Sequence, residues 1–272
     1  MTEHSDIWGD VFRKVIEELP IIKYSWNLAV EGTFNLPPWS NHPRQVLYNY
    51  LNAFRNTCAQ MQWSIIQLKD YSNCESSNVT EFFVSHYFYD FVVRLKTATD
   101  LLALIINHVY SIGLDPTKCS LDKGALSTSL RQNKSFATGS ELAKIIDQTR
   151  EKWLKLFDQV RDLIIHDQGV KFLVVGGKEH PIHIFIPFQA DLGGDMTVIV
   201  DESNPLNSLL PYGENTLLVK FLQSIGSSSV TDYLSIDPVI LLDELWNKFR
   251  GITVDISTYL SPAIEDFIIK QK

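Results

Sequence analysis

Residues 43–71 read PRQVLYNYLNAFRNTCAQMQWSIIQLKDY, and residues 79–112 read VTEFFVSHYFYDFVVRLKTATDLLALIINHVYSI. These two runs decide the fold. In the first, Val46, Leu47, Tyr50, Phe54, Met61, Ile65 and Leu68 recur at spacings of three, four and seven, the period of an amphipathic helix. In the second, Phe82, Phe83, Phe88, Phe91, Val92, Leu95, Leu101, Leu102, Ile105 and Val109 make a longer, more apolar helix. The polar link Ser72–Asn78 between them offers Asn78 as an N-cap. Gly113 is placed for a C-cap, and Asp115-Pro116 ends the run.

Working outward, residues 5–19 form a short amphipathic helix, which the segment Leu36–Pro43 interrupts. A weaker helix is expected over 121–132. Beyond the loop Lys134–Gly139, Ser140 is expected to N-cap a helix running to about His166. Its inward residues are Leu142, Ile145, Ile146, Trp153, Leu156, Phe157, Val160 and Leu163 or Ile164, with Gly169 as its C′ residue. The period then changes. Residues 171–175 and 182–186 around Gly176-Gly177 read as a hairpin, and 196–200 as a third strand. Helical patterns return at 216–225, at 238–250 with Asp237 as N-cap, and at 262–270 with Ser261 as N-cap. The expected architecture is mainly α: a bundle of long antiparallel helices with a small β-hairpin or three-strand element and short C-terminal helices. Three parts are expected: an N-terminal helical segment over 1–42, the bundle over 43–170, and an α+β extension over 171–272.

With 45% hydrophobic and 11% aromatic residues, the 272-residue chain has ample material for a packed core. Its net charge of −8 is uneven: residues 201–272 hold ten acids against five bases. That balance argues against tight, salt-driven binding of duplex DNA, while a few placed cations still allow a local RNA site. Cys58, Cys74 and Cys119 form no CxxC pair and no zinc pattern, so reduced thiols in a cytosol are expected. The polar start Met-Thr-Glu-His-Ser-Asp is not a signal peptide, and no apolar run is long enough to cross a membrane. A cytoplasmic protein without metal or cofactor is the expectation.

One short motif carries chemistry. Of the eight arginines, only Arg161 has a histidine five to seven positions on, in Arg161-Asp162-Leu163-Ile164-Ile165-His166. A guanidinium can hold phosphorane oxygens in a fork, and an imidazole near neutral pH can take the proton of a ribose 2′-hydroxyl. A purely structural role fits as well, because Arg161 lies within ion-pair reach of Asp158 and Asp162, and a cationic His166 would suit a helix C-terminus. The helix, over 140–171, holds six bases and six acids and so offers no basic track for RNA.

Placed late in the last long helix of a bundle, Arg161, Asp162 and His166 resemble the signature of the HEPN superfamily (higher eukaryotes and prokaryotes nucleotide-binding). The resemblance covers about residues 43–170. It implies a helical bundle, a homodimer and an RNA or nucleotide ligand. In one branch it implies metal-independent endoribonuclease activity, and in another a non-catalytic nucleotide-, RNA- or protein-binding module. Five residues on an ideal helix turn about 500°, leaving Arg161 and His166 roughly 140° apart around the axis. Either the last turn loosens, or two copies of the motif meet across a two-fold axis; the resemblance favours the second. His166 would then act as base, Arg161 would stabilise the charge and Asp162 would orient its neighbours.

Elsewhere, Glu179, His180, His183 and Asp191 are a poor metal set, since strand positions three apart face opposite sides. Gly176-Gly177-Lys178 lacks the spacing of a phosphate loop, and no GxSxG elbow occurs. Arg55-Asn56 resembles the start of a second motif but has Gln60 and Met61 where histidine is needed. The aromatic cluster around Phe82, Phe83, Tyr87 and Phe91 reads mostly as core, with part left over for an oligomer contact.

Overall fold

In a computed structural model, the chain is described over residues 3–30, 37, 40–72, 74, 78–132, 138–165, 171–173, 183–189, 212–213, 217–230 and 233–271. The described helices are α1 (Glu3–Glu18), α2 (Lys23–Val30), α3 (Pro43–Ser72), α4 (Asn78–Val109), α5 (Gly124–Gln132), α6 (Gly139–Thr149), α7 (Lys155–Ile165), α8 (Leu217–Ser224) and α9 (Pro238–Lys270). The strands are β1 (Lys171–Leu173), β2 (His183–Gln189), β3 (Tyr212–Gly213), β4 (Ser228–Val230) and β5 (Tyr233–Ile236). The fold is mainly α, a helical bundle with a small sheet, as the periodicity implies.

Along α3, the buried apolar residues Leu47, Leu51, Phe54, Cys58, Met61, Ile65 and Leu68 alternate steps of four and three. On α4, Val84, Phe88, Phe91, Leu95, Ala98, Leu102, Ile105 and Val109 step the same way. A 3.5-residue apolar repeat keeps a seam facing one neighbour over many turns, which is how two long helices stay paired. Hydrogen-bond partners fix the pairing and its sense. As the α3 residue advances from Pro43 to Gln60, its α4 partner retreats from His108 to Arg94, so the helices run antiparallel. Leu51 and Cys58 belong to this seam although the apolar pattern read from sequence skips them, whereas Val46 and Tyr50 are only half-buried. Each fully buried leucine or phenylalanine contributes about 1.5–3 kcal/mol.

Packing divides the chain into two compact units, one of Met1–Trp63, Arg94–Leu154 and Asn247–Lys272, the other of Ser64–Val93 and Lys155–Trp246. In the first unit, α1, α2, α5 and α6 join the N-terminal part of α3 up to Trp63, the C-terminal half of α4 and most of α9. Phe54 packs on Phe249, and the Tyr24 hydroxyl donates to Glu265 Oε1 at 2.5 Å. Lys96 bridges Asp100 and Asp122, tying α4 to the loop that follows it. Asp147 of α6 lies between Arg131 of α5 and Arg150. In the second unit, Tyr71 stacks on Phe83 and Tyr87, and Ser64 donates to Asp90. Strand β2 pairs antiparallel with β1 and β5, β5 pairs with β4, and β3 lies parallel to β2. The expected hairpin of β1 and β2 is thus present, with Phe172 opposite Ile184. The expected strand at 196–200 lies outside the described residues.

Four boundaries differ from the sequence reading. Lys23–Val30 is helical although its composition carries no periodic signal. Residues 238–270 form one helix rather than two: Ser261 is not an N-cap, and Pro262 sits inside α9. Proline removes one N–H and crowds the carbonyls of the preceding turn, and Tyr110 Oη donates to the Tyr259 carbonyl at 3.3 Å. Asp237 does cap α9, accepting from Val239 N at 2.7 Å. Helix α4 stops at Val109, and its left-handed C′ residue is Ser111 (φ +50°) rather than Gly113. Finally, Ser140 lies inside α6, and the single helix expected from 140 onward is interrupted by a π-helical turn at Arg150–Leu154.

Candidate functional site

The π-turn matters for the motif because an extra residue in one turn re-phases everything after it. Before it, Leu142, Ala143, Ile146 and Thr149 are buried; Leu154 at its end and Leu156, Phe157 and Val160 after it are. Trp153, read as inward from sequence, is only half-buried and has the Lys248 ammonium 4.9 Å from its ring centroid. The turn also forms one wall of a groove of about 250 Å³ whose lining includes Lys152, Asn247 and Asp255.

Helix α7 carries Arg161 and Asp162 on its half-exposed side, since Phe157 and Val160 take the inner face. The Arg161 guanidinium is held along its own helix. Nε and Nη2 both donate to Asp162 Oδ1, at 3.2 and 2.9 Å, and Nη1 lies 3.5 Å from Asp158 Oδ1. Both acids named from sequence as structural partners therefore engage the arginine. His166 lies outside the described residues, as do Asp167, Gly169, Gly176, Gly177, Lys178, Glu179, His180 and Asp191.

Ion pairs this exposed contribute little to stability, about 0–1 kcal/mol each. Their larger effect is electrostatic: two carboxylates beside one guanidinium leave the spot with a negative balance, so a phosphate must compete for the arginine.

Of the other sequence candidates, His183 Nδ1 is 2.9 Å from Ser235 Oγ across β2 and β5. Among the described residues no group of three or more metal-ligating side chains converges. Arg55 donates to Asn52 Oδ1 at 2.6 Å and lies over the Phe12 ring, which makes it a packing residue of α3. Phe88 and Phe91 are core, while Phe82 is 64% exposed beside His86. All three cysteines are free thiols. Burial pushes the Cys58 thiol well up and Cys119 up to about 11, which keeps both protonated.

Sequence reasoning missed His108. It lies in the first unit near the end of α4, with Nε2 2.8 Å from the Pro43 carbonyl oxygen, between the rings of Tyr50 and Phe267. Burial lowers its pKa, partly offset by the bond to Pro43. A lone histidine on an apolar face carries no motif that would have singled it out.

Comparison with protein families, with curated proteins and with solved structures produced no match. Among the described residues no helix is long and apolar enough to cross a membrane.

Proposed function

We propose that this chain is a HEPN-like, metal-independent endoribonuclease that works as a homodimer, with Arg161, Asp162 and His166 at a shared site. The observation that carries the reading is the clasp of Arg161 by Asp162 on the outer side of α7, the last helix before the sheet. A guanidinium fixed in one orientation loses less entropy on gripping phosphate than a mobile one. In this mechanism His166 takes the proton of the 2′-hydroxyl, the oxygen attacks the adjacent phosphorus, and the 5′-oxygen leaves. Arg161 stabilises the charge that develops on the phosphorane, giving a 2′,3′-cyclic phosphate. The two motifs would face each other across the dimer axis, because one straight helix cannot aim both side chains at one phosphate.

A second reading is favoured by Asp158. With two carboxylates on its guanidinium, Arg161 serves the helix, and the module binds a nucleotide or a partner without cutting. One experiment separates the two. Purified protein is incubated with single-stranded RNA in excess EDTA. The nuclease reading expects cleavage with cyclic phosphate ends, and a fall of about 100-fold or more in Arg161→Ala and in His166→Ala. Cleavage that survives His166→Ala would sink it. No cleavage, together with a rise in melting temperature on adding nucleotide, would establish the second reading.

A further inference from the structure

A cavity of about 360 Å³ opens in the first unit at the C-terminal end of α4. Its walls include Tyr50 of α3, Leu104 and His108 of α4, Ser111 just beyond it, and Phe267 of α9. That volume is at the lower end of small-molecule sites. Three features give it chemical character.

The first is charge. No described lining residue carries a permanent charge, and burial holds His108 toward its neutral form. An ion would enter without a counter-charge, which is costly in a partly desolvated space.

The second is the histidine tautomer. A backbone carbonyl can only accept, so the 2.8 Å contact to Pro43 places the proton of neutral His108 on Nε2. Nδ1 then keeps a lone pair and can accept from a ligand N–H. The ring is fixed by an edge contact to Tyr50, with centroids 6.0 Å apart, and a tilted contact to Phe267 at 5.2 Å. By contrast, Asn107 on the same wall is engaged with Leu114, accepting from its N–H and donating to its carbonyl.

The third is backbone strain. Two helices end in the same hydrogen-bond pattern. At α8, Ser227 N reaches the Leu222 carbonyl and Gly226 N the Gln223 carbonyl, with Gly226 at φ +93°. At α4, Ile112 N reaches the Asn107 carbonyl and Ser111 N the His108 carbonyl, with Ser111 at φ +50°. The left-handed position is a glycine at the first end and a serine at the second, and that serine lines the cavity. Strain kept at a lining position is what a site that uses the hydroxyl would retain.

We propose that this cavity binds an uncharged, planar heteroaromatic molecule, its ring against Tyr50 and Phe267, its N–H donated to His108 Nδ1 and a polar edge bonded to Ser111 Oγ. Two aromatic walls set among placed polar groups suit such a ring, which gains stacking or edge contacts from them.

The test is titration of the full chain with three neutral probes, nicotinamide, indole and uracil, and their anionic counterparts nicotinate, indole-3-carboxylate and orotate. The readout is the His108 imidazole nitrogen resonance. The expected result is a saturable shift with at least one neutral probe, with Kd below about 1 mM, and its anionic counterpart weaker by about tenfold or more. Leu104→Trp, which fills the space, should weaken binding by about tenfold or more. Ser111→Gly leaves the helix end at least as stable and should weaken it by about threefold or more. No His108 response to any neutral probe, equal binding of the anions, or unchanged affinity in both variants would overturn the proposal.

Discussion

Replacing Ser111 by glycine should stabilise this protein, although no contact is added. Ser111 holds φ +50°, and its N–H donates to the His108 carbonyl at 3.1 Å, so the left-handed turn is fixed by the Schellman bonds that end α4. A left-handed residue with a Cβ costs about 1–2 kcal/mol, while glycine avoids that cost but gives up about 0.5–1 kcal/mol more chain entropy on folding. The difference is a gain of about 0.5–1 kcal/mol. For a chain of this size that corresponds to about 1–4 °C in Tm, resolved more cleanly as a shift in denaturation midpoint. Two companion variants isolate the cause. Ser111→Ala keeps a Cβ at the same φ and should stay within about 0.5 kcal/mol of the parent. Gly226→Ser puts a Cβ into the equivalent position after α8, where φ is +93° and nothing lies within 4 Å of the added atom. With sterics open, only backbone strain acts there, and a loss of about 1 kcal/mol or more is expected. Urea unfolding followed by far-UV circular dichroism measures all three. A glycine at 111 that lowers stability, or a serine at 226 that leaves it unchanged, refutes the strain reasoning.

Two further outcomes follow from packing. The pKa of His108 is lowered in the fold from the ordinary 6.5 of a histidine, so below that value the unfolded chain binds more protons than the folded one. Its contribution to stability is therefore complete above about pH 6.5 and is lost as pH falls from there toward the folded pKa. In His108→Gln the slope of stability against pH over that window should flatten, and an unchanged slope would assign it elsewhere. Pro262→Ala restores an N–H to the exposed side of α9 and should stabilise by about 1–3 kcal/mol, read as a higher midpoint in urea. A lower midpoint would mean that the proline's stiffening of the unfolded chain outweighs the bond it forfeits in the helix.

The long helices were legible because burial repeats. Thirty residues of α3 sample the seam many times, so the helix is plain even when Leu51 and Cys58 are overlooked. The short elements were not legible. Lys23–Val30 and Tyr233–Ile236 are held by neighbours far along the chain, Ser228–Val230 pairs with the strand just after it, and a few residues carry too little periodicity to announce any of them. Proline misled at 262, because its local signal marks a helix start, while the buried stripe Ile256, Leu260, Ile264 and Phe267 carries α9 straight through it. The π-turn was invisible, since an inserted residue shifts the phase of a pattern without altering its composition.

The site divides in the same way. Sequence alone supplied Arg161 and its neighbours Asp158 and Asp162, because residues three apart share a helix face and a long guanidinium stem can bend to the residue beside it. It could not say which of them the guanidinium engages. The structure has it engage both, and that sets how hard a phosphate must compete. Nothing in the sequence announced the cavity around His108, since Pro43, Tyr50, His108 and Phe267 converge from three separate helices. Nearest-neighbour chemistry and helical period are written along the chain. The tautomer of a half-buried imidazole, the strain at Ser111 and the volume between helices exist only once distant segments have packed.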